Sequence, residues 1–209
     1  MKRFSLLLII VGMIIFLIPI GGRLYMHYQQ ERMYQQYLQD LKDQNSALSQ
    51  TFQTDISSNS AISSTASALT KEKKPVRKVE DVIGRISIPA ISSDQLLLEG
   101  SDSKHLKYGA GHVTGTPLPG EKGNCSIAGH RNYTFGSYFN RLGEVNPGDT
   151  ISIQYNNGTY TYKVTDILIV KPDDVSVLVN TPDSATITLI TCHPKGSNTH
   201  RLIVKGVLQ

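Results

Sequence analysis

The chain opens on an almost continuous run of apolar residues. Nineteen positions, residues 4–22, are interrupted only by Ser5 and by a few Gly and Pro residues. A helix of that length can cross a lipid bilayer. Lys2 and Arg3 precede the run, and positive residues on that side favour a cytoplasmic amino terminus. The rest of the chain is then expected on the extracellular face of the cell membrane.

A cleaved signal peptide is the alternative interpretation of this run. The run is longer than the usual apolar core of a signal peptide, and no clear small-x-small cleavage site follows it. We therefore predict that residues 1–23 form a cytoplasmic tip and an uncleaved, single-pass transmembrane signal anchor.

Polar residues replace the apolar ones over residues 24–50, where the large side chains recur at roughly helical intervals. This spacing predicts a helical stalk near the membrane. It is either a solvated spacer, which we expect, or a helix that binds a partner. Residues 51–78 are first rich in Ser, Thr and Ala and then basic, which predicts a flexible linker. The basic part is either simply solvated or in contact with anionic wall polymers or phospholipid head groups.

Short alternating runs that end at turn residues fill residues 79–209, which we predict to be one folded domain. Residues 82–88 alternate and stop at Pro89. Two further alternating runs flank an Asn-Asn-Gly turn at residues 156–158 and predict a hairpin. Other strands are expected near residues 95–99, 111–114 and 124–129, and one short helix at residues 137–142. Many short strands with little helix predict an all-β barrel or sandwich.

Size and charge narrow the possible functions. The predicted domain of about 130 residues is large enough for one hydrophobic core. The net charge of +4 is mild, and the positive residues are dispersed rather than interleaved with aromatic ones. These features argue against nucleic acid as a partner.

A Cys and an Arg flank one loop near the carboxyl end. The runs at residues 186–192 and 201–204 are rich in β-branched residues, and Pro, Gly, Ser and Asn lie between them. The pattern predicts strand, loop, strand. If these strands are antiparallel neighbours, their facing side chains lie roughly 5 Å apart. The guanidinium of Arg201 can then reach an oxyanion that forms beside the Cys192 sulfur.

A His ends another strand-like stretch upstream, where Gly129 is followed by His130. A Cys with a His brought near it by the fold is the minimal arrangement for covalent catalysis. The thiolate is the nucleophile, and the His holds or returns the proton.

Two other interpretations of these residues stay open at this point. Cys125 and Cys192 are the two cysteines of the chain, and an extracellular domain can join such a pair in a disulfide. Cys192, His193 and His200 are also close in sequence, although their spacing matches no four-ligand zinc pattern. We expect neither a disulfide nor a metal site.

Several segments together resemble the sortases, a family of cysteine transpeptidases of Gram-positive bacteria. The resemblance covers about residues 80–209, and the order and spacing of its motifs make it specific. The matching segments are YGAGHV at 108–113, LPG at 118–120, AGHR at 128–131, FNRL at 139–142, TLITC at 188–192 and RLIVKG at 201–206. The resemblance implies an eight-stranded β-barrel with short connecting helices, a detail that periodicity alone does not supply.

The resemblance also implies a two-step acyl transfer. Cys192 would be the nucleophile, His130 the proton donor and acceptor, and Arg201 the group that stabilises the oxyanion and the substrate. The substrate would be a secreted protein with an LPxTG-like sorting signal, cleaved after the Thr. The acceptor would be a cell-wall amine of the lipid II type, and water in its place would give hydrolysis. No cofactor is expected.

Four neighbours of these residues are expected to line the substrate groove. Ala128 and Thr191 lie just before the His and Cys candidates, and packing is an equally good explanation for both. His193 and His200 lie at the two ends of the loop between the Cys and Arg candidates, where they would shape or border the groove.

The sequence signals for the subtype conflict. Residues 196–201 resemble the corresponding stretch of the pilin-polymerising class C sortases. Those enzymes usually carry a lid with an Asp-Pro-aromatic motif and often a second membrane span, which this sequence does not show. We therefore expect a wall-anchoring class A or class D-like enzyme. The alternatives are a pilin-polymerising enzyme that uses a pilin Lys amine, and a non-catalytic, membrane-tethered β-domain that binds peptides or wall polymers.

Overall fold

A computed structural model of the chain describes residues 2–56, 81–131 and 138–209. One long helix precedes eight strands. The helix is α1 (Lys2–Ile56), and the strands are β1 (Val82–Ile88), β2 (Ser93–Glu99), β3 (Gly109–His112), β4 (Gly123–Ala128), β5 (Thr150–Tyr155), β6 (Gly158–Val170), β7 (Ala185–His193) and β8 (His200–Leu208). Short 3₁₀ turns occupy Pro89–Ile91, Leu142–Glu144 and Val175–Leu178.

The eight strands close into a barrel in the order β1-β2-β3-β4-β7-β8-β6-β5. Neighbouring strands are antiparallel except for the pairs β2–β3 and β4–β7, which are parallel. Closure gives every strand a neighbour on both sides and so removes free sheet edges. The prediction of an all-β, eight-stranded barrel is confirmed, and the sandwich alternative is wrong.

Local sequence explains several of these elements. The alternation in β1 buries every second residue from Val82 onward. Asn156 and Asn157 have positive φ angles of 48° and 67°, which suit the tight turn of the β5–β6 hairpin. The short helix expected at residues 137–142 is wrong for its described part, because residues 138–140 form a turn that leads into the 3₁₀ turn at Leu142–Glu144.

Apolar side chains from all sides of the barrel fill its interior. Fully buried members of this core include Ile86, Ile88, Leu97, Ile127, Phe139, Ile151, Ile153, Ile187 and Leu189. Burying a side chain of this size contributes about 1.5–3 kcal/mol. Cys125 belongs to the same buried cluster.

A partly buried ion pair joins β2 and β3 in the barrel wall. His112 of β3 is 2% exposed, and its Nδ1 lies 2.7 Å from Oε2 of Glu99, its register partner on β2. Burial alone would lower the pKa of His112, but the hydrogen bond and charge of Glu99 outweigh it and the pKa is raised. Burial opposes ionisation of Glu99 in turn, yet hydrogen bonds from His112 and Thr114 bring its pKa below the ordinary value. Both shifts favour the charged pair, so His112 has a structural role.

Helix α1 lies along the outside of the barrel. Met33, Tyr37 and Leu41 recur every four residues, so they share one face of the helix. They are buried against Val82 of β1 and two Leu residues of β2. The expectation of a solvated spacer is therefore wrong for this stretch. The helix also continues to Ile56, into the segment predicted as a linker, and the rest of that segment lies outside the described residues.

Polar contacts fix α1 at several points along the barrel. The guanidinium of Arg85 contacts Glu31 of the helix at 3.2 Å and Asp94 of β2 at 2.6 Å, and lies 5.0 Å from the centre of the Tyr34 ring. Further hydrogen bonds cross the interface: Gln30 Nε2 to the Tyr108 carbonyl (2.6 Å), the Tyr34 hydroxyl to Gln154 Oε1 (2.8 Å), and the Asn156 backbone N–H to the Tyr37 hydroxyl (3.2 Å).

The first part of α1 differs from this docked part. The described part of α1 from Val11 onward includes one helical segment that is long and apolar enough to cross a membrane. Phe16, Leu17 and Ile18 within it are 69%, 53% and 59% exposed. The same helix thus carries an uncovered apolar segment followed by one that packs on the barrel.

Candidate active site

Strands β7 and β8 bring Cys192 and Arg201 together. The two strands are antiparallel, and Cys192 is the register partner of Arg201, as His193 is of His200. Directly opposed residues on such strands have Cβ atoms roughly 5 Å apart on the same face of the sheet. The thiol and the guanidinium therefore face each other across one loop, residues 194–199.

Strand β4 places His130 beside the same strand end. It runs parallel to β7, with Ala128 as the register partner of Ile190. The ladder continues past the strand, because the Gly129 N–H donates to the Ile190 carbonyl at 3.0 Å. Extending this register by two residues puts His130 alongside Cys192, at the roughly 4.8 Å spacing of neighbouring strands. The three predicted catalytic residues thus meet at one end of the barrel.

Close packing holds the His130 segment in place. A Cβ atom on Gly129 would lie 2.5 Å from the Phe139 ring, so the contact requires a glycine. The Thr191 hydroxyl donates to the Gly129 carbonyl at 2.7 Å, and the Phe139 N–H donates to the His130 carbonyl at 3.0 Å. The His130 ring meets the ring of Tyr138 edge-on, with centroids 6.3 Å apart. These contacts fix both the backbone and the ring of His130.

The two cysteines are free and differ in exposure. Cys192 is partly exposed, whereas Cys125 is fully buried. Burial raises the pKa of Cys125 to about 12, with smaller effects from the charges of Glu121 and Glu99. Cys125 is the register partner of Ile187, so Cys192 lies roughly 16 Å further along β7 at 3.3 Å per residue. A disulfide needs Cα atoms within about 7 Å, and the disulfide alternative is therefore wrong.

The guanidinium of Arg201 is held by the adjacent loop and by the first residue of β8. Its Nη1 donates to the backbone carbonyls of Asn198 and His200, each at 3.0 Å. Across the described parts of the chain, no carboxylate forms an ion pair with Arg201. Its positive charge is therefore not neutralised by a neighbouring carboxylate and can act on an oxyanion.

Arg131 connects the His130 segment to the Cys192 segment. Its Nη1 donates to the Cys192 carbonyl at 3.2 Å and lies 2.8 Å from Nδ1 of His193. A guanidinium has no acceptor, so Nδ1 must accept this bond. Burial and the charge of Arg131 lower the pKa of His193, which favours the neutral ring that can accept. The sequence marks Arg131 only by its place after His130, because its partners come from a distant strand.

The four residues predicted to line the groove have different surroundings in the structure. Thr191 is 2% exposed and its hydroxyl is engaged in the strand contact, which favours the packing alternative for this residue. Ala128 is half-buried at the end of β4. His193 accepts from Arg131, and His200 is exposed at the rim. For Ala128, His193 and His200 the groove role stays a prediction.

A metal site is not formed by these residues. Within residues 2–56, 81–131 and 138–209, no three His, Cys, Asp or Glu side chains are grouped so that they could hold a metal ion. Cys192 and His193 are consecutive on β7, and consecutive strand residues point to opposite faces. The zinc arrangement considered for Cys192, His193 and His200 is therefore wrong.

The chain is similar to known proteins in sequence and in fold. A family model, described as Sortase domain, matches residues 86–209. Sortase A from Bacillus anthracis is 38% identical over 129 residues, which cover 62% of this chain and 60% of that protein. Sortase A from Streptococcus agalactiae is 30% identical over 214 residues, which cover 97% of this chain and 82% of that protein. The chain spans about three fifths of the length of the Bacillus relatives it matches.

Solved structures agree with the sequence matches. A lid mutant of sortase A from Corynebacterium diphtheriae superposes with a TM-score of 0.61 at 36% identity, covering 65% of this chain and 74% of that chain. Sortase C from Clostridium perfringens, solved with the C-terminal cell wall sorting motif, gives a TM-score of 0.59 at 32% identity, covering 63% of this chain and 72% of that chain.

Proposed function

This chain belongs to the sortase family, whose members are cysteine transpeptidases, and we propose that it is a membrane-anchored transpeptidase of cell-surface proteins. It cleaves an LPxTG-like sorting signal after the Thr and transfers the protein to a cell-wall amine of the lipid II type. The observation that carries the proposal is the meeting of His130, Cys192 and Arg201 at one end of the barrel. The similar sortase C that was solved with a sorting motif supports the substrate class.

The first step forms a thioester. The Cys192 thiolate attacks the carbonyl carbon of the signal's Thr, a C–S bond forms, and the carbonyl oxygen takes the negative charge. The C–N bond to the following residue then breaks. His130, as imidazolium, gives its proton to the departing amine. The products are an acyl-enzyme and a free carboxyl-terminal fragment.

The second step releases the protein from Cys192. An acceptor amine attacks the thioester carbonyl, a C–N bond forms, and the C–S bond breaks to return the thiolate. The proton lost by the attacking amine passes to His130, which restores the starting charge state. Water in place of the amine gives a carboxylic acid, so hydrolysis is the side reaction.

Arg201 stabilises the charge that develops on the carbonyl oxygen in both steps. Its strand position opposite Cys192 supports this role. The bonds to Asn198 of the loop and to His200 at the start of β8 hold it in position before substrate binds. Removing one preorganised donor of this kind typically lowers turnover by roughly 10²–10³-fold.

The anchor holds this chemistry on the outer face of the membrane. Support comes from the positive residues before the apolar run and from the exposed apolar segment of α1. A membrane-impermeant maleimide should label Cys192 on intact cells that make the full chain. Labelling that requires permeabilised cells would reverse the proposed topology. Cys192→Ala is the control, because buried Cys125 should not react.

Mass spectrometry of the intact protein tests the reaction. The full chain in lipid nanodiscs is mixed with a panel of sorting-signal peptides, without an acceptor amine. We expect an adduct of the peptide's acyl part on the wild type and on Cys125→Ala, and none on Cys192→Ala. An adduct that survives on Cys192→Ala would contradict the nucleophile. Peptide binding without any adduct on the wild type would favour the non-catalytic, membrane-tethered binding domain.

A pilin Lys amine is the second candidate acceptor. Residues 196–201 favour it, because they resemble the class C stretch between the catalytic Cys and Arg. Equal concentrations of a lipid II-type amine and a pilin peptide with its Lys are offered to the acyl-enzyme. The product that forms faster identifies the acceptor class.

A further inference from the structure

Helix α1 docks on the barrel in a defined direction. Its earlier residues, including Arg23 and His27, share a cavity with Ile91, which follows the end of β1. Its later residues lie beside the opposite end of the barrel, where the Tyr37 hydroxyl accepts from the Asn156 backbone in the β5–β6 turn. The helix therefore runs antiparallel to β1, with its membrane-side half beside the end of that strand.

The directions of the paired strands show at which end of the barrel the active site lies. β1 and β2 are antiparallel, so the end of β1 and the start of β2 share one end of the barrel. β3 is parallel to β2 and antiparallel to β4, which brings the end of β4 to that same barrel end. β7 is parallel to β4 and antiparallel to β8, so the end of β7 and the start of β8 join them. His130, Cys192 and Arg201 thus lie at the barrel end beside the membrane-side half of α1.

The distance from this barrel end to the membrane is short. The apolar run ends at Gly22, and Gln30 already donates to the Tyr108 carbonyl of the barrel at 2.6 Å. Eight helical residues span about 12 Å. Between them, Tyr25 and Tyr28 are 60% and 64% exposed, and exposed tyrosines beside an apolar span are typical of the membrane–water interface. The barrel therefore begins at about the height of the lipid head groups.

Tyr138 links this part of the barrel to His130. The Tyr138 hydroxyl donates to the carbonyl of Lys107, the residue before Tyr108. The same Tyr138 ring lies edge-on to His130. Because α1 is one continuous helix from Lys2 to Ile56, no flexible joint separates the apolar run from the docked part.

A cavity of about 550 Å³ lies between α1 and this end of the barrel. Arg23 and Leu24 line it on the membrane side, and Tyr138, which contacts His130, lines it on the barrel side. Its volume is in the range of ligand sites. The cavity therefore extends from the membrane side of α1 to a neighbour of the catalytic His.

Arg23 favours an anionic ligand in the cavity. Arg23 and Arg141 line it, and Arg141 also contacts Glu144 at 2.7 Å. The lining carboxylate of Asp94 is bonded to Arg85 at 2.6 Å, and Arg85 also contacts Glu31 at 3.2 Å. No carboxylate among the described residues pairs with Arg23, so its charge stays available to an anion. Guanidinium groups suit phosphate oxygens in particular, because they can donate two parallel hydrogen bonds.

We propose that the catalytic end of the barrel faces the membrane at head-group height, and that the cavity beside α1 admits an acceptor amine carried by a phosphate-linked lipid of the same membrane. This inference rests on the proposed function, since it concerns the second substrate of that transfer. A lipid-linked amine diffuses in the plane where the thioester forms, which raises its effective concentration there. A soluble amine gains neither this proximity nor the contact of a lipid phosphate with Arg23.

Fluorescence quenching tests the orientation without any catalysis. The full chain is labelled at Cys192 and placed in nanodiscs that contain a head-group nitroxide lipid. The matched control carries the label at Asn157→Cys in a Cys192→Ala background, at the opposite barrel end. The seven residues of β1 place these ends roughly 20 Å apart. We expect at least twofold stronger quenching at Cys192. Equal quenching, or stronger quenching at position 157, would overturn the proposed orientation.

The acceptor route is tested by comparing one amine in lipid-linked and soluble form. Seven helical residues inserted after Arg23 raise the barrel by about 10 Å and nearly preserve the helix faces. We expect transfer to the lipid-linked amine to fall at least tenfold, with hydrolysis and transfer to the soluble amine unchanged. Unchanged lipid transfer in the insertion variant would overturn the proposed route.

A cavity-filling variant tests the same route in place. His27→Trp should lower the ratio of lipid-linked to soluble transfer at least fivefold. Gln36→Trp, nine residues later on the opposite face of α1, should leave the ratio unchanged. An unchanged ratio in His27→Trp would show that the acceptor does not use the cavity. If the wild type forms no acyl-enzyme at all, the proposed function fails, while the quenching result still decides the orientation.

Discussion

Cys125 and His112 lie in the core and wall of the barrel. Cys192 and His130 lie at one end of it. These two Cys–His pairs differ in their surroundings. Cys125 is fully buried, with a pKa raised to about 12 by burial, and His112 is 2% exposed and paired with Glu99. Cys192 and His130 are only partly buried, and neither forms an ion pair with another described residue.

Strand β4 takes part in both environments. β4 contains Cys125 in its middle and leads to His130 just after its end, and β7 reaches Cys192 near its own end. A thiol in the middle of such a strand is a small apolar group of the core. A thiol where the strands give way to loops can meet a substrate and exchange protons. Position along the strand, rather than residue type, decides whether such a thiol packs in the core or can react.

The largest effect expected from this comparison is a contrast between two Cys→Ala variants. Cys192→Ala should abolish acyl-enzyme formation and leave the midpoint of chemical unfolding close to that of the wild type. Cys125→Ala should retain the reaction but lose roughly 1–2 kcal/mol of unfolding free energy, because it removes packed volume from the core. Peptide cleavage and denaturant titration of both variants measure the two effects. Retained cleavage in Cys192→Ala would remove the distinction between the two sites.

Arg201→Lys should give the second largest effect. Lys keeps the positive charge but lacks the planar fork that reaches a carbonyl oxygen with two donors. We expect acyl-enzyme formation to slow by roughly 10²-fold or more, with the fold unchanged by circular dichroism. The rate is followed by stopped-flow peptide cleavage. Wild-type rates in this variant would exclude Arg201 from oxyanion stabilisation.

Arg131→Leu should give a smaller loss at the same strand end. It removes the bonds to the Cys192 carbonyl and to His193, and a lost charged hydrogen bond of about 1.5 kcal/mol corresponds to roughly tenfold in rate. Because Arg131 acts through the position of Cys192, the loss should appear in kcat rather than in KM. Arg131→Lys, which can keep one donor, should recover part of it. Equal kcat in all three proteins would show that the contact is not needed for catalysis.

Sequence patterns predict those parts of this contrast that depend on local structure. The alternation of β1, the Asn-Asn turn of the β5–β6 hairpin and the strand-loop-strand pattern around Cys192 and Arg201 are all visible in short windows. The opposition of those two residues follows because one short loop joins their strands.

Non-local pairing explains what sequence patterns leave open. The parallel pairing of β4 with β7 places His130 beside Cys192, and the two strands are far apart in the chain. The helical spacing of Met33 and Tyr37 is readable, but the barrel surface that covers them comes from β1 and β2. Without a partner surface in view, such a stripe is equally compatible with a solvated helix.

The smallest expected effect concerns His112 in the barrel wall, and it depends on pH. Glu99→Gln removes the negative charge that faces His112. The raised pKa of His112 means that its contribution to stability is present below about pH 6.5 and is lost as pH rises through the raised value. The lowered pKa of Glu99 means that its contribution is present above about pH 4.5 and is lost as pH falls through the lowered value.

The two pH ranges overlap between about pH 4.5 and pH 6.5. In that range the unfolding free energy of the wild type should exceed that of Glu99→Gln by the largest amount. We expect a difference of about 1–2 kcal/mol in unfolding free energy at pH 5.5, discounted for the partial exposure of Glu99, and a smaller one at pH 9. Denaturant titrations at both pH values measure it, with Glu144→Gln as the control for an exposed pair. A difference that does not change with pH would mean that Glu99 acts only as a hydrogen-bond acceptor. His112 would then be held by a hydrogen bond rather than by an ion pair.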